Sequence, residues 1–319
     1  MKKIFRSFLI VLIKIVQIEN GMNFSKKVLL IVFAFLIFVA GSGSAIPNHK
    51  NCILADVIKT GDNGFICSFE GVKHDFILEM PDEVAGAPLV IMLHGYGNDA
   101  KSFKQYTAFD AEATARGYGV VYVTGAPSPE DPTSAIGWNS GIGVSEKNDT
   151  GFLCALANYM CETYAFDNTR VFAVGFSNGA FMVHRLALEA NDVFSAVVSV
   201  AGMMPESVWE NRDENCSVGV FQITGEKDDV IPKNIDGSAK YSKAPAIEDV
   251  IDYYVRGNAL ELSEECSTGK KASLEKYRSD NSDKQVWNLI IPDGRHSWPG
   301  ESATGIKTNE LILDFLDTQ

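Results

Sequence analysis

Basic residues are scarce in this chain. Its 319 residues hold 28 Lys+Arg against 41 Asp+Glu, a net charge of -13. The imbalance deepens after the N-terminus. Residues 1–45 carry six cations (Lys2, Lys3, Arg6, Lys14, Lys26, Lys27) and one acid, Glu19. Setting these aside leaves 22 basic against 40 acidic residues, a net of -18 on 46–319. Such a surface repels polyphosphate and anionic lipid, which excludes a nucleic-acid partner and gives the mature chain no electrostatic hold on a membrane. Histidine is scarcer still, with five residues. Cys-x-x-Cys and clustered His/Cys are absent, so no zinc or redox centre is indicated. With 46% hydrophobic and 22% charged residues, the composition is nonetheless that of a globular protein, neither disordered nor collagenous.

Long apolar runs are also missing. The longest, Val28–Ala40, has 13 residues, against about 20 for a spanning helix. It follows Lys26-Lys27 and precedes Gly-Ser-Gly-Ser-Ala, the order of a secretory signal peptide. The earlier run, Phe8–Ile13, is followed by Lys14, Glu19 and Asn20, so Met22 opens a tidier signal than Met1. The pattern predicts a leader over 1–45, cleavage after Ala45, and a secreted or periplasmic domain over 46–319. All six cysteines (Cys52, Cys67, Cys154, Cys161, Cys216, Cys266) lie beyond that point, and an even count in an exported chain predicts disulfides. Cys154 and Cys161 are exempt from mutual pairing, being about 10.5 Å apart along a helix.

From Phe65 onward, β-branched and aromatic runs alternate with segments of helical period. Strands are predicted over 65–70, 72–79, 88–94, 118–124, 170–176, 195–201, 218–224 and 286–291. Helices are predicted over 99–116, 149–165, 178–191, 244–257 and 304–317. The first two strands form an antiparallel hairpin about Gly71. Pro88–His94 and Arg170–Phe176 are continuously apolar, as in strands covered on both faces. Helical crossovers make the later strands parallel, so the pattern is one doubly wound α/β domain. Two long connections interrupt it, 125–147 and 261–285, and the first is a candidate substrate loop.

Gly175-Phe176-Ser177-Asn178-Gly179 fits Gly-x-Ser-x-Gly. The string is weak by itself, but it follows an apolar strand and opens a helix, where a nucleophilic serine is presented on a sharp turn. The alternative is a glycine-rich turn with a capping serine. The serine needs a base. His49 and His74 precede the central strands, His184 lies two turns down the helix from Ser177, and His94 ends a strand in His94-Gly95-Tyr96-Gly97. His296, in the loop after the last strand, stands where the order Ser, acid, His places the base. For the acid, strand 218–224 runs into Gly225-Glu226-Lys227-Asp228-Asp229. Asp228 is preferred, with Asp229 and Asp293 as alternatives. Backbone N–H groups of Tyr96 and Asn178 would form the oxyanion hole.

Five strings, in this order, carry a family resemblance: Leu93-His94-Gly95-Tyr96-Gly97, Asn148-Asp149-Thr150-Gly151-Phe152, Gly175 to Ala180, Gly225-x-x-Asp228 with Pro232, and His296-Ser297-Trp298-Pro299-Gly300. From about residue 60 to the C-terminus the chain resembles the polyhydroxybutyrate depolymerase-like and feruloyl esterase group, carbohydrate esterase family one. The resemblance implies an α/β-hydrolase fold, with a mostly parallel eight-stranded sheet and helices on both faces. It also implies an exported serine esterase with Ser177, Asp228 and His296 as triad and no metal or organic cofactor. The expected substrates are hydroxycinnamoyl esters of plant-wall polysaccharide, with acetylated xylan and polyhydroxybutyrate oligomers as rivals. Arg295 departs from the family's glycine before the histidine. Trp138 and Trp298 would either stack on substrate or anchor loops, and Asp149 resembles a recurring family acid or simply starts a helix. A non-catalytic carbohydrate-binding protein on the same scaffold is the rival of another class, and an intact Ser, Asp and His in order weigh against it.

Overall fold

The computed structural model describes residues 49, 52–128, 131, 133–213, 216–233 and 244–319. The expected leader over 1–45 and the start at Met22 lie outside the described residues. Eleven strands form one sheet. In chain order they are β1 (Ala55–Lys59), β2 (Gly64–Phe69), β3 (Val72–Glu79), β4 (Leu89–Leu93), β5 (Gly119–Val123), β6 (Val171–Phe176), β7 (Ala196–Val200), β8 (Gly219–Gly225), β9 (Glu261–Thr268), β10 (Ala272–Arg278) and β11 (Val286–Ile291). Across the sheet the order is β1-β2-β3-β5-β4-β6-β7-β8-β11-β10-β9.

The six central strands, β5 to β11 in that order, are parallel, and the three on one side and two on the other are antiparallel. Burial explains the division. Every residue of β4, β5, β7 and β8 is buried, which suits strands with helices over both faces. In β3, by contrast, burial alternates, with His74, Phe76 and Leu78 inward, the period of a strand covered on one side.

Two apolar cores lie on opposite faces of the sheet. One packs helices α3 (Asp149–Tyr164), α4 (Asn178–Glu189), α5 (Glu206–Glu210) and α6 (Ile247–Gly257) through residues such as Phe152, Met160, Leu186 and Tyr254. The other packs α1 (Ala100–Thr107), α2 (Phe109–Ala115) and α8 (Thr308–Leu316) through Phe103, Phe109, Ile312 and Phe315, and the short helix α7 (Glu301–Thr304) precedes α8. Among the described residues no helix is long and apolar enough to cross a membrane.

All eight expected strands are present, and the sheet is larger than eight by β1, β9 and β10. The polar stretch read as an insertion over 261–285 is a hairpin that extends the sheet. Its outer strand β9 is exposed along most of its length, so it carries no alternating apolar residues to reveal it. The helix expected over 99–116 is two helices. Ala108 takes φ 46° and its N–H donates to Lys104 O (2.8 Å), which ends α1 before Phe109 turns into the core.

The expected disulfides are not formed, and all six thiols are free. Cys266 lies across the sheet from the other five, which belong to the first core. Cys216 Sγ instead donates to Ala187 O at 3.2 Å. Burial pushes the Cys67 thiol up to about 12 and those of Cys161 and Cys216 up to about 11, so these are packing groups rather than nucleophiles.

Candidate active site

Ser177 stands between the end of β6 and the first residue of α4, with φ 53° and ψ -114°. A side chain held in so sparsely occupied a region costs of order 1–3 kcal/mol. What holds it is close backbone packing that only glycine allows. A Cβ on Gly175 would sit 2.1 Å from Gly179 O, and one on Gly179 would sit 2.1 Å from Leu93 O. Both glycines of the motif are therefore required by sterics. The Ser177 N–H donates to Val200 O (3.0 Å), tying the turn to β7.

His296 reaches Ser177 from the loop after β11. Its Nε2 is 2.9 Å from Ser177 Oγ and its Nδ1 is 2.8 Å from Asp228 Oδ2. An ionised carboxylate only accepts, so Nδ1 carries the proton and donates to Asp228, leaving Nε2 to accept the serine O–H. Asp228, with its side chain 1% exposed, is held in turn by the N–H groups of Val230 (2.9 Å) and Ile231 (2.7 Å), which both donate to Oδ1.

The loops bearing Asp228 and His296 cross at two glycines. A Cβ on Gly225 would lie 2.5 Å from Gly294 O, and the Lys227 N–H donates to that same oxygen at 2.9 Å. Gly225 opens the string Gly225-x-x-Asp228 in the sequence, but nothing there assigns a role to it or to Gly294; the close crossing supplies one. Asp229 and Asp293 are both exposed, and Asp293 pairs with Lys227. Arg295 is exposed as well, so the departure from glycine there meets no steric obstacle; the close crossing falls one residue earlier.

Ser177 opens into a cleft of about 550 Å³ whose walls include Tyr96, Ile142, Phe181, Met203, Val230 and Ile231. Tyr96, 53% exposed, stands at one side in the loop after β4. Asn178 is the first residue of α4, where a helix N–H has no intrahelical acceptor, and its side chain is committed elsewhere: Oδ1 accepts from Trp138 N–H (2.7 Å) and Nδ2 donates to Ser140 Oγ (2.9 Å).

The two tryptophans expected as substrate platforms are placed as anchors. Trp138 has no exposed surface; its Nε1–H donates to His94 O (2.9 Å) and its ring lies 5.1 Å from the His94 ring. Trp298 is 9% exposed, packs edge-on against Phe103, donates from Nε1 to Asn309 Oδ1 (3.1 Å) and lines a separate hollow. A buried indole presents no face for stacking, so the loop-anchoring alternative is the one the packing supports.

Beneath the 125–147 loop lies a pair the sequence reading left unpaired, Lys147 and Asp149, 3.5 Å apart with side chains 2% and 1% exposed. Burial pushes Asp149 up and Lys147 down, weakening both charges, and their mutual attraction opposes this. Asp149 is the first residue of α3, as expected, but its Oδ2 also accepts from Asn139 N–H (2.6 Å), within the loop.

The doubly wound sheet, with a serine at the β6–α4 turn and an imidazole after the last strand, defines the chain as an α/β-hydrolase. A family model described as Esterase PHB depolymerase matches residues 75–253, and the chain belongs to that family. Among curated relatives, the esterase-named NocK of Nocardia uniformis subsp. tsuyamanensis is 28% identical over 266 residues, 72% of this chain and 74% of that protein. Feruloyl esterase B of Thermothelomyces thermophilus is 24% identical over 155 residues, 47% of this chain and 49% of that protein. Acetylxylan esterase A of Aspergillus oryzae is 27% identical over 172 residues, 51% and 52% respectively. The chain thus spans about half the length of these last two. Among solved structures, the acetyl xylan esterase from Aspergillus awamori superimposes with a TM-score of 0.57 at 12% identity, covering 83% of this chain and 99% of that one, which speaks for the fold alone. The protein is a carboxylic ester hydrolase.

Proposed function

We propose that this chain is an exported serine esterase that acts on hydroxycinnamoyl esters of plant-wall polysaccharide. The observation that carries the reading is the continuous relay from Ser177 Oγ through His296 to Asp228, opening into the cleft. Ser177 Oγ attacks the ester carbonyl while His296 Nε2 takes its proton. Asp228 stabilises the imidazolium, and the N–H groups of Tyr96 and Asn178 receive the oxyanion. His296 returns the proton to the departing sugar oxygen; water, deprotonated by the same imidazole, then releases the acid. Side chains, two backbone N–H groups and water carry the proposed steps, with no metal or organic cofactor called for. The catalytic domain is 46–319, with 1–45 as its leader.

The acyl group is inferred from the cleft. Ile142, Phe181, Met203 and Ile231 give it apolar walls and a volume far beyond the needs of an acetyl group, which favours an aromatic acid. Feruloyl and acetylxylan esterases stand together among the relatives. The deciding measurement is a parallel assay on methyl ferulate, acetylated xylan and hydroxybutyrate oligomers. Methyl ferulate is expected to give the highest kcat/KM, and Ser177→Ala to lose at least about a thousandfold on it. Full activity of Ser177→Ala would overturn the mechanism, and faster turnover of acetylated xylan or hydroxybutyrate would reassign the acyl group.

A further inference from the structure

Segment 136–140, within the loop first read as a substrate loop, is bonded to both elements that would supply oxyanion donors. On the Tyr96 side, Ile136 O accepts from Gly97 N–H (2.7 Å) and Trp138 Nε1–H donates to His94 O (2.9 Å). On the Asn178 side, Trp138 N–H donates to Asn178 Oδ1 (2.7 Å), and Asn178 Nδ2 donates to Ser140 Oγ (2.9 Å). The fit is close: a Cβ on Gly137 would lie 2.8 Å from the Tyr96 ring and 3.1 Å from Asn178 Oδ1. The strap therefore touches the two candidate donor residues at once, while the hydrogen bonds it makes leave their own N–H groups out.

The strap is fastened from behind by Lys147, and Arg185 Nη1 also donates to Asn139 O (2.7 Å). Lys147 Nζ donates to Gly137 O (2.9 Å) and to Ala126 O (2.6 Å), the two residues that bridge across the neck of the loop. Its third neighbour is Asp149, whose Oδ2 also accepts from Asn139 N–H, and Asn139 Nδ2 donates to Lys147 O (2.6 Å). Two carbonyl oxygens within hydrogen-bond distance and a carboxylate oxygen at 3.5 Å surround the buried nitrogen, a setting that an ammonium with three hydrogens fits. Lys147 is the single cation in 125–147. Lys147 itself does not line the substrate cleft, although Tyr96 and Asn178 do.

We infer that Lys147 is a positioning residue for catalysis: through Gly137, Trp138 and Ser140 it sets the backbone N–H groups of Tyr96 and Asn178 at the spacing that receives the oxyanion. The inference rests on the proposed acyl-enzyme mechanism. An oxyanion hole works by preorganisation, so donors displaced by a fraction of an ångström lose transition-state stabilisation while ground-state binding in the cleft is untouched. The loop's conformation thereby becomes part of the catalytic apparatus although none of its polar groups meets the reacting atoms.

The test uses two variants that slacken the strap at opposite ends, Lys147→Met and Ser140→Ala, assayed with methyl ferulate and with phenylboronic acid. In the boronate, Ser177 Oγ bonds to trigonal boron, His296 Nε2 takes the serine proton, and the negative charge on the tetrahedral boron is borne by a hydroxyl oxygen in the oxyanion site. Exhaustive fluorophosphonate labelling counts the competent serines. Per competent serine, both variants are expected to lose about tenfold to a hundredfold in kcat with KM within about twofold. The boronate inhibition constant should rise by the factor by which kcat/KM falls. Ser140→Ala removes one hydroxyl and carries the test if Lys147→Met does not fold. A lowered melting temperature with kcat and boronate affinity within twofold of the parent overturns the inference, since a merely structural role predicts that result. An unlabelled, uninhibited wild type overturns the acyl-enzyme mechanism as well, which separates the two failures.

Discussion

At the scale of single residues, two adjacent aspartates have opposite fates. Asp228 faces inward, its Oδ2 on the imidazole and its Oδ1 capped by two N–H groups, while Asp229 faces solvent. If Asp228 orients the imidazole, Asp228→Asn supplies the wrong tautomer partner and kcat is expected to fall about 10³- to 10⁴-fold. Asp229→Asn should stay within about twofold, and equal losses in steady-state kinetics on methyl ferulate would contradict the assignment. The serine and histidine were legible in the sequence because a glycine-framed turn and a position after the last strand are one-dimensional features. The choice between Asp228 and Asp229 was not, because it depends on how a turn is rotated by the Gly225–Gly294 crossing, between segments almost 70 residues apart. Trp138 was equally ambiguous for the same reason: an indole in a polar loop reads alike whether it faces solvent or His94.

At the scale of elements, legibility followed burial. Strands β4 to β8 and β11 were found because both of their faces, or nearly so, are covered and their residues are correspondingly apolar. Strands β1 and β9 are exposed edges, so their sequences record solubility rather than packing. Glu261, Glu264 and Glu265 on β9 place charge along an edge that would otherwise invite pairing with another chain. Helix ends are set by local chemistry. Asp99 accepts the Ser102 N–H (2.7 Å) at the start of α1, with extended φ and ψ of its own, the geometry of an N-cap. Asp99→Ala is expected to cost about 1 kcal/mol, read from urea denaturation as a lowered midpoint at constant slope. An unchanged midpoint would show that the cap contributes nothing to the folded state.

For the whole molecule, three buried histidines link stability to pH. Burial pushes His74, His94 and His184 down to about 4, and each ring is committed to fixed partners: His94 Nε2 accepts from Gly125 N–H (3.0 Å), while His184 bridges Gln222 (3.1 Å) and Tyr254 (3.3 Å). In the unfolded chain these groups take up protons near 6.5. The folded state binds fewer, so stability is full above about pH 6.5 and falls as pH drops toward 4, with a slope approaching three protons, each about 1.4 kcal/mol per pH unit. Urea midpoints measured between pH 7 and pH 4.5 should fall accordingly, and a flat profile would mean that the three rings are accessible to protons in the native state. The sequence by itself determined the α/β class, the central strands, the serine turn and the histidine's place in the order, because periodicity and glycine punctuation are local consequences of backbone geometry. Only the tertiary structure decided which aspartate meets the imidazole, that the cysteines stay apart, that Trp138 is an anchor, and that Lys147 lies beneath the candidate oxyanion donors. Each of these depends on distances between residues remote in the chain, which packing alone sets.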